Sequence, residues 1–367
     1  MLKPKPSIDT IQPYQGGKPI EEVQREFGIT DIIKLASNEN PLGPSPLATQ
    51  AIVESATQVH LYPDGNAYYL KEDLAQHIGI SEDHLTLGNG SNDVLQLIAE
   101  AYVAPEDEVI YAAGAFVVYS LVTKLCSATA VVVPMQKDTH DLAAMAAAIT
   151  DKTKVIFVAN PNNPTGTMVT ADETAAFMEQ VPNDVLVVFD EAYYEYVSRS
   201  DYPQTLPYVL DGRNFVITRT FSKIYGLAGL RVGYGIAPPT LIETLNRVRQ
   251  PFNCSLIGQA AARAALKDTD HVVRSQEHNN IGKTFLYNAF DELRLRYRET
   301  EGNFIMLHVD QSGADVADAL LRKGVIVRPI AGYGYSDAVR VTIGTQQENE
   351  KFITALKVVR GQLSAIS

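Results

Sequence analysis

The central part of the 367-residue chain alternates short apolar runs with segments of helical periodicity. DVLQLIAEAYV and FVVYSLVTKL repeat apolar residues every three to four positions, which predicts helices. The apolar runs between such segments are rich in β-branched residues, as in strands buried on both faces of a sheet. From about Asn92 the chain is therefore predicted to form an open, mainly parallel α/β sheet. The predicted strands are EVIYA, TAVVVPM, KVIFVAN, DVLVVFDEA and FVITRT, preceded by LTLG.

The pattern changes beyond Ala237, where two or three long helices are predicted between about Pro239 and Arg298. Short strands (NFIMLHV, GVIVRPI and AVRVTIG) then mix with helices, which predicts a smaller α+β domain. The first 45 residues are rich in proline and glycine, which favours an extended arm. The predicted domains are an arm with part of the small domain (1–35), a large domain (36–245) and the small C-terminal domain (246–367).

Composition and charge argue against several classes of protein. A net charge of −12 disfavours a nucleic-acid partner, since phosphate neutralisation needs a basic face. No apolar run approaches the roughly 20 residues of a membrane span, and MLKPKPSIDT lacks the apolar stretch of a signal peptide. The two cysteines, Cys126 and Cys254, are far apart, so neither a disulfide framework nor a metal site is expected. The predicted location is the cytoplasm.

Polar clusters follow several predicted strands, where ligands bind in open α/β sheets. GNGSND follows LTLG and precedes a helix, so it presents backbone amides to an anion or simply caps that helix. PNNPTG follows KVIFVAN and could equally form tight turns. Neither a GxGxxG fingerprint nor a P-loop is present.

Two ionisable side chains stand at the ends of apolar strands. Asp190, followed by Glu191, ends DVLVVFD, and a carboxylate there is either a helix cap or the partner of a buried cation. Lys223 follows FVITRT within TRTFSKIYGLAGLRVGYG, among small and apolar residues, with Arg231 eight positions later. A lone lysine is usually solvated, but desolvation would lower its pKa and make it a Schiff-base nucleophile. An anion cradle, an asparagine, a carboxylate, an amine and an arginine together suit pyridoxal phosphate.

The sequence resembles the histidinol-phosphate aminotransferase family of fold-type I pyridoxal-phosphate enzymes over nearly its whole length. The resemblance rests on long motifs in addition to GNGSND and the lysine segment. These are KLASNENPLGPSP, YPDGNAYYLK, ANPNNPTG, VVFDEAYYEY, VIVRPI and VRVTIGT. It implies a fold-type I transferase with a large domain around a mainly parallel sheet and a smaller α+β domain.

The resemblance also implies a role for each matching residue. Lys223 would bind the cofactor's aldehyde and later transfer the substrate proton, and Asp190 would keep the pyridine nitrogen protonated. Asn163 and Tyr193 would donate to the phenolic oxygen, and Phe116 would stack on the ring where many relatives have tyrosine. The residues implied to hold the cofactor phosphate are Gly90, Ser91, Asn92, Ser222 and Arg231.

Substrate recognition and assembly are likewise implied by the resemblance. Arg340 matches an arginine for the substrate's anionic group, and Arg328 and Tyr14 match residues that assist with a phosphate ester. Tyr62 matches a residue that enters the neighbouring active site, so a homodimer is expected. The expected reaction is transamination between L-histidinol phosphate and 2-oxoglutarate, giving imidazole acetol phosphate and glutamate, a step of histidine biosynthesis.

The residues leave other functions open. An aromatic amino-acid aminotransferase would share the same cofactor site, as would a threonine-phosphate decarboxylase, which also binds a phosphate. A regulatory protein with the same fold would not need Lys223, Asp190 and Arg231 together, and the sequence contains all three.

Overall fold

A computed structural model of the chain describes residues 2–13 and 16–364, which form helices α1–α13 and strands β1–β12. None of the described helices is both long and apolar enough to span a bilayer. The helices are α1 (Ile20–Phe27), α2 (Pro46–Ser55), α3 (Tyr68–Ile78), α4 (Ser91–Tyr102), α5 (Val118–Leu125), α6 (Leu142–Ala147), α7 (Ala171–Met178), α8 (Leu206–Leu210), α9 (Pro239–Val248), α10 (Leu256–Lys267), α11 (Thr269–Glu292), α12 (Gly313–Leu321) and α13 (Gln346–Ser364). The strands are β1 (Ile33–Lys34), β2 (Leu85–Gly88), β3 (Glu108–Ala112), β4 (Thr129–Val133), β5 (Thr153–Ala159), β6 (Leu186–Asp190), β7 (Phe215–Thr220), β8 (Gly233–Ile236), β9 (Phe304–His308), β10 (Val325–Ile326), β11 (Arg328–Ile330) and β12 (Tyr335–Thr342).

The large sheet contains seven of the described strands in the order β2-β8-β7-β6-β5-β3-β4. All pairs from β7 to β4 are parallel, whereas β8 runs antiparallel to both of its neighbours. The prediction of a mainly parallel sheet is therefore confirmed, and each predicted strand of this sheet forms.

Strand β5 illustrates why continuous apolar runs form this sheet. Ile156 and Val158 are buried in the core on one face, and Val155 and Phe157 are buried in the core on the other face. Successive side chains of a strand point to opposite faces, so a strand covered on both sides needs apolar residues at every position.

Strand β4 departs from that prediction, because it is largely exposed. It lies at the edge of the sheet, paired only with β3 in the described order, and 48% of Val132 is accessible. The apolar run correctly predicts a strand but not burial, because an edge strand is covered less than a central one.

The register brings the carboxyl ends of three central strands level. Ala159 at the end of β5 lies opposite Asp190, and Asp190 lies opposite Thr218 of β7. The segments that follow these strands therefore meet at one edge of the sheet, where open α/β folds bind ligands.

A second, smaller unit forms around the antiparallel strands β11-β12-β9 and helices α11, α12 and α13. The N-terminal segment packs against it, because α1 buries Val23 beside Leu321 and Ile326. Ile20 and Phe27 complete the apolar face of α1. The prediction of an extended arm is therefore wrong for α1, whose few apolar positions become a helix face only with a surface to cover.

Helix α10 packs against α2 and α3, and Ala261, Ala262 and Ala265 lie in the same core as the large sheet. The predicted boundary at residue 245 remains a prediction. This packing favours a boundary after α10 instead.

A buried ion pair supports the segment behind Asp190. The side chain of Glu191 is fully buried, and its Oε2 accepts from the Arg219 guanidinium at 2.8 and 2.9 Å. The Arg219 guanidinium also lies 3.5 Å from the centre of the Tyr194 ring. A buried carboxylate is tolerated only when paired, so this arginine holds the start of the segment after β6.

We expect Arg219→Ala to lower the free energy of unfolding by about 3–5 kcal/mol, because it leaves the buried Glu191 carboxylate without its cation. Urea denaturation of both proteins measures the difference. Arg247→Ala is the matched control, because the Arg247–Glu243 pair is about 70% exposed on both sides and its loss should cost roughly 0.5 kcal/mol. Equal losses for the two variants would contradict a structural role for the buried pair.

Candidate active site

A cavity of about 200 Å³ lies at the carboxyl edge of the large sheet, bounded on one side by residues of the smaller unit. It contains most of the residues predicted from the sequence. Those that line it are Ser91, Asn92, Phe116, Asn163, Asp190, Tyr193, Ser222, Lys223, Arg231 and Arg340.

One end of the cavity is built to bind an anion. Helix α4 begins at Ser91, so the amides of its first turn lack carbonyl partners within the helix. Arg231 reaches the same place and donates to Ser222 Oγ at 3.3 Å and to the Ala228 carbonyl at 3.1 Å. A helix N-terminus, a serine hydroxyl and a guanidinium together suit a phosphate group.

Two glycines allow this close packing. Gly90 precedes α4 with a φ of 81°, and a Cβ atom there would lie 2.5 Å from the Arg231 guanidinium. Gly233 lies under the helix start, where a Cβ atom would be 2.3 Å from the Ser91 nitrogen. Gly90 does not line the cavity itself, but it leaves room for the arginine that does.

Asp190 is almost fully buried at the end of β6 and accepts two side-chain hydrogen bonds. Tyr119 donates to Oδ2 at 3.0 Å and Thr218 donates to Oδ1 at 3.1 Å. Burial raises the pKa of Asp190 to about 6, and the two hydroxyls oppose that rise. A carboxylate that faces a cavity under these conditions is suited to bind a cationic group of a ligand.

Lys223 is partly buried, and its Nζ donates to the Ser37 carbonyl at 3.3 Å. The amine also lies 5.6 Å from the centre of the Tyr193 ring. Burial, with the charge of Arg340 as the next cause, lowers the pKa of Lys223 to about 8. About a tenth of the amine is therefore neutral near pH 7 and able to act as a nucleophile.

Hydrogen bonds also orient other polar side chains that line the cavity. The Tyr193 hydroxyl accepts from Asn38 Nδ2 at 2.8 Å, so its own proton can be donated to another group. Asn163 Oδ1 accepts from Arg340, whose guanidinium also donates to the Ala36 carbonyl at 2.7 Å. The carbonyl oxygen of Asn163 is therefore occupied by Arg340, and its amide N–H groups are the part that can donate to a ligand.

Phe116 lies on the cavity wall and packs edge-on against Tyr119, with ring centres 6.0 Å apart. It has the apolar face that a flat ligand would need.

Like Gly90, two more of the described predicted residues do not line the cavity. Tyr62 is 81% exposed and stacks on Phe252. Arg328 borders a neighbouring cleft, and its backbone lies directly opposite Arg340 in the β11–β12 pair. Tyr14 lies outside the described residues.

The sequence reasoning missed several residues at this site. Asn38 and Ser37 lie within KLASNENPLGPSP, a motif from which the resemblance implies no role for either residue. Asn38 has a φ of 56°, a conformation that asparagine tolerates better than most residues. Tyr119 is three positions after Phe116, so the two side chains would lie on the same side of the predicted helix. This spacing is the signal that could have identified Tyr119. Tyr333 also lines the cavity, and its sequence context contains no comparable signal.

Comparison with known proteins agrees with this architecture. Residues 30–356 match the family model described as aminotransferase class I and II. The histidinol-phosphate aminotransferase of Moorella thermoacetica is 53% identical over 97% of this chain and 93% of its own length. Histidinol-phosphate aminotransferase 1 of Nitrosococcus oceani is 49% identical over 96% and 95%.

A solved structure is similar over its whole length. The crystal structure of histidinol-phosphate aminotransferase from Sinorhizobium meliloti in complex with pyridoxal-5'-phosphate gives a TM-score of 0.90 at 27% identity, covering 99% of each chain. The predicted fold class, that of a fold-type I transferase, is confirmed. The chain belongs to the class I and II aminotransferase family, within its histidinol-phosphate aminotransferase group.

Proposed function

We propose that this chain is a pyridoxal-phosphate-dependent aminotransferase that moves the amino group of L-histidinol phosphate to 2-oxoglutarate. The products are imidazole acetol phosphate and glutamate, which places the reaction in histidine biosynthesis. The observation that supports it most is the convergence of Lys223, Asp190 and Arg231 on one cavity. An amine, a buried acid and an anion-binding end match the three polar features of this cofactor.

The packing of the cavity fits the cofactor. A side chain at position 90 would collide with Arg231, so glycine keeps the anion end open. Asp190 is buried with a raised pKa, as expected for a carboxyl whose cationic partner comes from a ligand. When bound, pyridoxal phosphate supplies an aldehyde that accepts amino groups and a protonated ring that withdraws electrons.

The residues of this chain would hold the cofactor at three points. Arg231, Ser222 and the N-terminus of α4 would bind its phosphate, and Asp190 would pair with its ring nitrogen. Tyr193 would donate to the phenolic oxygen, because Asn38 already occupies an acceptor position of its hydroxyl. The Asn163 amide would donate to the same oxygen, because Arg340 bonds its carbonyl, and Phe116 would cover the ring.

Lys223 would attach the cofactor and then move the proton at the substrate carbon. The lowered pKa, about 8, lets its amine exchange a proton near neutral pH. Its long stem allows the amine to leave the Ser37 carbonyl and reach the reacting carbon.

Two arginines favour a phosphate-bearing substrate. Arg328 and Arg340 are directly opposed on neighbouring antiparallel strands, so their side chains leave the sheet on the same face. A phosphate ester of charge near −2 suits two guanidinium groups better than a single carboxylate does, and Tyr14 would assist.

The proposed assembly is a homodimer in the cytoplasm. Several large apolar side chains are exposed between residues 42 and 69, the segment that contains Tyr62, and the exposed Phe252 stacks on Tyr62. Such exposure is unusual for a surface that stays in water. In a homodimer that covers them, Tyr62 would enter the partner's cavity, as the resemblance implies. The exposed side chains are Leu42, Leu47, Leu61, Tyr68, Tyr69 and Phe252.

We expect L-histidinol phosphate to convert the aldehyde form of the cofactor to its amine form in a single turnover without a keto acid. Stopped-flow absorbance compares this rate with that of phenylalanine. Conversion by histidinol phosphate should be at least about 100-fold faster at equal concentration, because only that substrate engages both arginines. Equal rates would indicate a broad aromatic aminotransferase, and carbon dioxide release from threonine phosphate would indicate a decarboxylase.

Lys223→Ala is expected to abolish transamination, because the variant lacks the amine that attaches the cofactor and moves the proton. Coupled measurement of glutamate formation tests this. Lys283→Ala is the matched control, since burial also lowers the pKa of Lys283, which donates to the Thr300 carbonyl away from the cavity. Full turnover by the Lys223 variant would refute the proposed function.

Mixing two impaired homodimers tests the shared active site. We expect Tyr62→Ala to reduce kcat/KM by about tenfold or more, as for a lost hydrogen bond to a charged group. Reassociation of equal amounts of Tyr62→Ala and Lys223→Ala subunits should restore about a quarter of the wild-type sites, because half of the dimers become mixed and each has one intact site. A Lys223→Ala and Asp190→Ala mixture should recover nothing, since both lesions are in a subunit's own cavity. Equal behaviour of the two mixtures would contradict the shared site.

A further inference from the structure

We propose that Tyr119 is a positioning residue that keeps the Asp190 carboxyl ionised and oriented for the cofactor ring, through the hydrogen bond it donates to Oδ2. This inference rests on the proposed function, because it concerns the same cofactor site. Tyr119 is absent from the lining of the cavity and would act through Asp190.

The surroundings of Tyr119 fix its hydroxyl in place. The residue is fully buried on α5, and its ring lies parallel to that of Phe157 on β5, with centres 4.9 Å apart and planes 4° apart. Phe116 packs against it edge-on. A ring held on two sides allows its hydroxyl little freedom except toward Asp190 Oδ2, 3.0 Å away.

The two carboxylate oxygens have separate donors. Thr218 bonds Oδ1 from the neighbouring strand β7, and Tyr119 bonds Oδ2 from the helix that follows β3. One hydroxyl on each oxygen sets the plane of the carboxylate. The Ala192 amide also donates to this carboxyl. The two oxygens have about four lone-pair sites between them, so the carboxylate can still accept a ring N–H from the cavity.

Tyr119 is suited to act as a permanent donor. Burial, then the charge of Asp190, raises its pKa well above the ordinary tyrosine value, so it stays protonated across the working pH range. A bond to the ionised form of a carboxyl lowers that carboxyl's pKa and so opposes the effect of burial on Asp190. The titratable groups facing Asp190 are Tyr119 on α5, Glu191 and Tyr193 after β6, and Lys223 after β7.

The consequence is a pH-dependent effect on cofactor affinity. The pKa of Asp190 is about 6, so about half of the carboxyls are ionised at pH 6. Loss of one hydrogen bond to a charged group should make ionisation about tenfold less favourable, leaving roughly a tenth ionised at pH 6 and nine tenths at pH 8. Affinity for a protonated ring should therefore fall about fivefold at pH 6 and hardly at all at pH 8.

The experiment measures the dissociation constant of pyridoxamine 5'-phosphate from the full-length apoprotein by calorimetry at both pH values. This probe has no aldehyde, so Lys223 does not attach it covalently. The Tyr119→Phe variant, which loses only the hydroxyl, should bind about fivefold more weakly than wild type at pH 6 and within about 1.5-fold at pH 8. Tyr111→Phe is the control, because that ring lies in the same core, 6.5 Å from Tyr119 between ring centres, and should change neither value.

Each outcome distinguishes this inference from the proposed function. If the wild-type protein does not bind the probe, the proposed function itself fails. If it binds and Tyr119→Phe has no effect, or weakens binding equally at both pH values, the positioning role is overturned. If Tyr119→Phe does not fold, Tyr119→Leu removes the same hydroxyl in a smaller side chain and should show the same pH dependence, and its absence would overturn the role.

Discussion

The burial of one carboxyl group, Asp190, is the constraint on which the rest of the site depends. A charge at the end of an apolar strand is costly unless polar partners surround it. Here those partners come from two other elements, Tyr119 on α5 and Thr218 on β7. These bonds offset only part of the cost of burying the charged carboxylate, so the pKa of Asp190 stays raised. A cation in the cavity would offset the rest. The carboxyl is thus suited to bind a cationic group of a ligand, such as the protonated ring proposed for it.

Close packing of the backbone places the other groups around that carboxyl. The register of β5, β6 and β7 brings the following segments to one edge, and Gly233 lets β8 approach the start of α4. Because helix dipole and guanidinium then face the same space, the anion end lies in the same cavity as the carboxyl and the amine. The smaller unit closes the cavity with Arg340, which is bonded to both Asn163 and the Ala36 carbonyl.

Prediction from sequence succeeded where the local pattern alone determines the structure. Continuous apolar runs are typical of strands covered on both faces, and β3, β5, β6 and β7 follow them closely. Prediction was less successful where the burial of an element depends on parts of the chain that are distant in the sequence. The exposed edge position of β4 and the apolar face of α1 both depend on which surface lies alongside, and neither is visible in the local residues.

For the candidate site, the sequence by itself determined the chemical groups: an amine, a carboxyl and a helix start close to strand ends, and an arginine eight positions after the amine. Long motifs also determined the family, because their residues match over nearly the whole chain. Only the tertiary structure decided that Asn38 bonds Tyr193 and that Tyr119 bonds Asp190. Both bonds join residues more than 70 positions apart, so their geometry depends on packing between elements and not on local propensity. Tyr62 and Arg328 lie outside the cavity of a single chain. Their surroundings depend on which parts of the folded chain lie beside them, and the order of residues in the sequence does not show this.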